Sequence, residues 1–178
     1  MSVDLSILFD VISSSAFVAI SVLLFSVVRK WGARVSLWYF GFSVVGFTII
    51  IAGDISVMSL ISLSKELAGS GMRDASYIVL ALSKQDDYFG AHFMNLIAYS
   101  LGAFPLYFLF FSSKLLPRWL AGWGLLGALL VFVATWLQVF GHEVSLLIYV
   151  PNSLFILFLG FWLAIKGFSP VPFLKPAL

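Results

Sequence analysis

Few side chains in this sequence can do chemistry, and most of those lie inside apolar runs. Asp10, Asp54, His92, Asn95, Gln138 and Asn152 each interrupt a stretch that is otherwise hydrophobic. At helical spacing they fall on stripes: Tyr88, His92, Asn95 and Tyr99 at i, i+4, i+7 and i+11 share one face. Ser6, Asp10, Ser13, Phe17 and Ser21 form a second, Thr135, Gln138 and His142 a third, and Ser145, Tyr149 and Asn152 a fourth. A carboxylate at the centre of a membrane helix costs ~2.5–3.5 kcal/mol even on lenient scales, so such groups face the bundle and seek partners. Asp54 and His92 could form such a pair, as ions or as a hydrogen-bonded neutral imidazole. The candidate ligand-binding set is Asp54, His92, Asn95, Tyr99, Asp10, Asn152 and Gln138, lining one polar pocket with Asp54 as its floor. The bland alternative makes Asn95, Gln138 and Asn152 interhelical glue worth ~0.6 kcal/mol each. It makes Asp10 an interfacial group, and Asp54 a neutral, hydrogen-bonded carboxyl.

Enzymatic readings have less to stand on. There is no Gly-x-Ser-x-Gly elbow, His-Glu-x-x-His helix, phosphate loop or dinucleotide fingerprint. A nucleophile system would have to join Asp54 and His92 to Ser13 or Ser14. A metal site would have to use Asp54, His92 and Asp10, whose spacing matches no known helix motif. A haem would need His92 and His142, the sole histidines, as axial ligands. The cofactor question stays open.

The elements that must position these residues follow from composition. Of 178 residues 62% are hydrophobic and only 10% charged, against ~25% charged in soluble domains. There are no cysteines, hence no disulfides and no thiolate ligands. Ten Lys/Arg against eight Asp/Glu is too balanced for a nucleic-acid binder. The reading is a single integral membrane domain, 1–178, all-α, a polytopic helical bundle. Crossing ~30 Å of hydrocarbon takes ~20 apolar helical residues. Five segments qualify: 5–28, 35–64, 88–111, 119–140 and 144–165. The apolar run at 77–82 is too short to span and reads as an interfacial helix over about 74–83, after the Gly69-Ser70-Gly71 break.

Arg29, Lys30 and Arg34, then Lys114 and Arg118, then Lys166 and Lys175 mark alternate connections. The positive-inside rule therefore expects the N-terminus outside and the C-terminus in the cytoplasm. The first helix does not read as a cleavable signal, because its positive charges follow it. In this topology the polar groups all occupy the outer half, with Asp54 near the midplane, and the inner half carries nothing more polar than Ser or Thr. Gly122, Gly124, Gly127 and Gly160 permit close helix approach, and Pro105 is expected to kink its helix.

The stretches 113–127, with Leu116-Pro117-Arg118-Trp119, and 160–168, with Trp162-Leu163-Ala164-Ile165-Lys166-Gly167, resemble a bacterial membrane-protein family catalogued as domain of unknown function 4386. The resemblance implies a bacterial inner-membrane, multi-pass helical bundle of six helices, of which this chain lacks the first. It also leads one to expect an acidic residue in the last helix, where Asn152 is the nearest polar group. It supplies no activity.

The expected function is an outward-facing intramembrane pocket that binds a small ligand, an ion or a lipid. The alternatives are an accessory subunit of a larger membrane complex or a homo-oligomer, and an intramembrane enzyme or haem or metal protein using Asp54 and His92. Expected partners are the lipid bilayer and another membrane subunit or a second copy, with no nucleic acid.

Overall fold

A computed structural model describes residues 3–70 and 75–169, with side chains placed for 5–66 and 76–169. All of the regular structure described is helical: α1 (Val3–Ser70), α2 (Ala75–Ser113), α3 (Arg118–Val139), a 3-10 turn (Leu146–Tyr149) and α4 (Val150–Ile165). Among the described residues, four helices are long and apolar enough to cross a membrane. Apolar side chains cover the outside as well as the core, with Leu23, Phe161 and Ile165 at 67%, 68% and 79% exposure. A bundle in water would hide such groups, whereas hydrocarbon solvates them.

Helix α1 is 68 residues long and leaves helical geometry at Gly32 (φ −167°, ψ 75°). Glycine is a weak helix former, and this one is also demanded by space. A Cβ there would stand 2.7 Å from the Leu109 side chain of α2. The two arms, 3–31 and 33–70, fold back on each other. The second runs antiparallel to α2, with Gly53 against Ala91, Gly46 against Asn95 and Gly102 against Phe42. The Trp38 indole N–H donates to the Leu101 carbonyl at 2.9 Å. The first arm runs parallel to α2, since Asp10 accepts from the Tyr88 hydroxyl (3.0 Å) and the Phe17 ring meets Tyr99 edge-on (6.3 Å).

Several expected boundaries move. The spans 5–28 and 35–64 are two helical arms, as expected, but they meet directly at Gly32 rather than across a loop of residues 29–34, and the second continues to Ser70. The separate interfacial helix over 74–83 does not exist as such; its described residues are the first turns of α2. No glycine or proline stands between 77 and 88, and Lys84 pairs with Asp87 at 3.1 Å one turn on, so the helix has no reason to stop. Helix α2 carries Pro105 within it. The last span begins in a 3-10 turn rather than at 144, because Pro151 favours the first turn of an α-helix.

Helix α3 packs on α2 and, antiparallel, on α4. Gly124 faces the Phe155 ring and Gly127 faces Asn152, so the α3–α4 seam is built on glycine. The dry core lies toward the Gly32 end, with Val28, Leu106, Phe110, Leu115, Leu116 and Leu120 all at 2% exposure or less. The Ser169 amide donates to the Leu115 carbonyl (3.0 Å), bringing the chain after α4 to the same end. Arg29, Lys30, Arg34, Lys114, Arg118 and Lys166 therefore gather at one end of the bundle. Among the residues with described side chains, every acidic one lies toward the other end.

Candidate functional site

Asp10 and Asp54 are equally far from Gly32 in sequence, so the hairpin brings them to one level. Tyr88 and His92, one turn apart on α2, meet them there. Asp10 Oδ2 accepts from the Tyr88 hydroxyl and stands 3.8 Å from His92 Nε2. The other imidazole nitrogen, Nδ1, is 3.1 Å from the Tyr88 carbonyl, which orients the ring. The expected Asp54–His92 pair is thus replaced by Asp10–His92. Asp54 lies within electrostatic reach of both, yet at 3% exposure neither of its oxygens has a hydrogen-bond partner. A buried carboxyl without partners costs free energy that folding does not return.

From this level a cavity of about 310 Å³ extends toward the Gly32 end. The first arm of α1 contributes Asp10, Ser13, Ser14 and Phe17. The second contributes Tyr39, Phe42, Ser43, Gly46, Phe47 and Ile50. Helix α2 adds His92, Asn95, Leu96 and Tyr99, and α4 adds Asn152, Ser153 and Ile156. Helices α1 and α4 both wall this space although no Cα atom of one comes within 8 Å of a Cα atom of the other among the described residues. The cavity is the cleft between them, with α2 as its back wall. At its inner end Tyr99 donates to Asn152 Oδ1 (3.1 Å) and meets the Tyr107 hydroxyl (3.2 Å), joining α2 to α4.

Of the seven candidate residues, Asp10, His92, Asn95, Tyr99 and Asn152 line this cavity. Asp54 does not. It lies one turn beyond Ile50 on the lining face, at the cavity's polar end, and is no floor to it. It follows Gly32 by ~33 Å of helix, at the level of Asp10. Gln138 is elsewhere: it accepts from the Tyr149 hydroxyl, which also meets Thr135 Oγ1 at 3.3 Å. Those three tie α3 to the turn before α4.

The alternative chemistries lose their geometry. The Ser13 and Ser14 hydroxyls donate to the Asp10 carbonyl, so neither hydroxyl hydrogen is directed to His92. Among the described residues no three His, Asp or Glu side chains converge to hold a metal ion, which removes the Asp54, His92 and Asp10 set. His142 is exposed at the far end of α3 and does not share the His92 cavity.

Sequence reasoning passed over the second arm of α1. Tyr39, Ser43, Gly46 and Ile50 follow one another at helical spacing and lead to Asp54. Their signal was faint, because small and aromatic residues among Val, Ile and Phe look like packing.

Among its described residues the chain is all-helical, with four helices of membrane-crossing length and composition and a polar cleft between two of them. It belongs to the family described as Domain of unknown function (DUF4386), which matches residues 1–167. The match thus reaches well beyond the last two helices that carried the resemblance. No curated protein and no solved structure matches the chain.

Proposed function

We propose that the protein is an integral membrane protein that binds a small ligand in the cleft between α1 and α4, opening toward the extracytoplasmic side. The single observation behind this reading is the cleft itself. Two helices that could pack against each other are held apart over a cavity of about 310 Å³, and polar side chains from three helices face into it. Cavities that serve only as packing defects are small and apolar. The charge distribution supports the orientation: the basic residues at the Gly32 end mark the cytoplasmic face, so the Asp10 end is outside. On this reading the arms of α1 are separate spans, giving five crossings of a bacterial inner membrane.

The absence of native cysteine makes the reading directly testable. A cysteine at Ser43 is expected to react, in intact cells, with a membrane-impermeant methanethiosulfonate. One at Ala128, 1% exposed in the core, is expected to stay unreactive. Leucine at Gly46, whose Cβ would collide with Asn95 Oδ1, should displace that amide into the cavity and abolish labelling at position 43. An inert Ser43→Cys in cells and in reconstituted vesicles alike would remove the open pocket.

A further inference from the structure

We infer that the cavity takes the ammonium group of an amphiphilic amine, with the Asp10 carboxylate as its anionic partner and its apolar tail leaving between α1 and α4. This rests on the reading of the cleft as a ligand site and names the chemistry it selects.

The hydrogen-bonding character of the wall comes first. The hydroxyls of Ser13, Ser14, Ser43 and Ser153 all donate to carbonyls of their own helices, with Ser14 and Ser43 at 2.6 and 2.8 Å. What each has left to offer the cavity is lone pairs. Asp10 adds a carboxylate. The Tyr99 hydroxyl hydrogen is already committed to Asn152 Oδ1. The wall thus offers serine lone pairs and a carboxylate beside the amide groups of Asn95 and Asn152 and the Tyr39 hydroxyl, and the serines and Asp10 are what suit a ligand that brings its own N–H groups.

Charge points the same way. No lysine or arginine lines the cavity, so a phosphate or carboxylate would find only His92, itself set against Asp10, as a cationic partner. Asp54, buried and unpartnered one turn past the lining, adds a second carboxyl at the polar end. His92, against Asp10, is the one lining group that can carry positive charge. Below Asp10 the walls are the rings of Phe17, Tyr39, Phe42, Phe47 and Tyr99. Aromatic faces attract cations and tolerate alkyl chains equally well. A cleft between helices whose backbones do not meet leaves a lateral exit for such a chain, into the bilayer.

The ammonium could arrive on a phospholipid headgroup or on a free amine. The test uses the Ser14→Cys protein in vesicles of phosphatidylglycerol, which carries no amine, with decylamine, decyl sulfate and decanol as probes. Decylamine is expected to protect the cysteine from the impermeant reagent, while decyl sulfate and decanol do not. Asp10→Asn should raise the decylamine concentration needed for half-protection by at least ~10-fold, the loss of one charge-assisted contact. Asp10→Glu should restore protection, which separates loss of the charge from loss of the fold. Protection by phosphatidylethanolamine vesicles without added amine would identify a lipid source, and protection by decylamine alone a free one; either supports the inference. Labelling that no amine diminishes, or that decyl sulfate diminishes equally, would overturn the amine while leaving the pocket in place. A cysteine unreactive under every condition would overturn both.

Discussion

Asp54 carries the sharpest residue-scale puzzle, a carboxyl at 3% exposure with two oxygens that nothing donates to. Such a group contributes nothing to folding and is a cost of about 1–3 kcal/mol. Replacing it with leucine, of similar reach and no polar atoms, is therefore expected to raise the melting temperature of the purified protein. Asn should at least leave that temperature unchanged. A fall with both variants would mean that the carboxyl has a partner and is structural. Asp10 differs because the Tyr88 hydroxyl and the imidazole of His92 both address it. That difference was not legible in the sequence, where both are single acids in apolar runs. Which acid meets His92 depends on how two helices rotate against α2. The Tyr88–His92–Asn95–Tyr99 stripe was legible, because one helix period decides it without reference to any neighbour.

At the scale of elements, glycine decides which helices can touch. A Cβ at Gly124 would collide with the Phe155 ring, which is fully buried and has nowhere to move. Gly124→Ala should lower stability by roughly 1–3 kcal/mol through overpacking. At Gly90 the same added methyl meets nothing within 4 Å. Gly90→Ala should accordingly stabilise, by about 0.5–1 kcal/mol, through helix propensity alone. Thermal unfolding of the two variants side by side in one detergent checks both. Equal effects would show that the α3–α4 seam is looser than its geometry. The sequence marks Gly122, Gly124, Gly127 and Gly160 as permitting close approach, and only the fold shows that Gly124 and Gly127 use the permission while Gly160 meets nothing within 4 Å. Gln138 illustrates the limit: its spacing with Thr135 was right, but the partner is Tyr149 and the product is a helix clasp rather than a pocket wall.

For the whole molecule, the arms of α1 and the length of α2 set the dimensions. Ser64 lies about 48 Å of helix past Gly32, well beyond a ~30 Å hydrocarbon layer, while Ala33 sits at the basic end. With five crossings, Ser64→Cys should be labelled by an impermeant reagent in intact cells and Ala33→Cys only after permeabilisation. The opposite pattern would invert the topology and place the cleft toward the cytoplasm.

Membrane-crossing character and all-helical architecture were determined by composition alone, because lipid leaves backbone groups no partner outside a helix. The polar stripes were determined by the helical period, and the gathering of the acidic side chains, with Lys65 and Lys84, at the end away from Gly32 by where charges interrupt apolar runs. Tertiary structure decided the rest. It joined two predicted spans directly at Gly32, without a loop, and fused a short apolar run into α2. It gave His92 to Asp10 and opened a cleft where α1 and α4 fail to meet. Each of those depends on helix rotation and on distances between helices, which are set by side chains far apart in the chain.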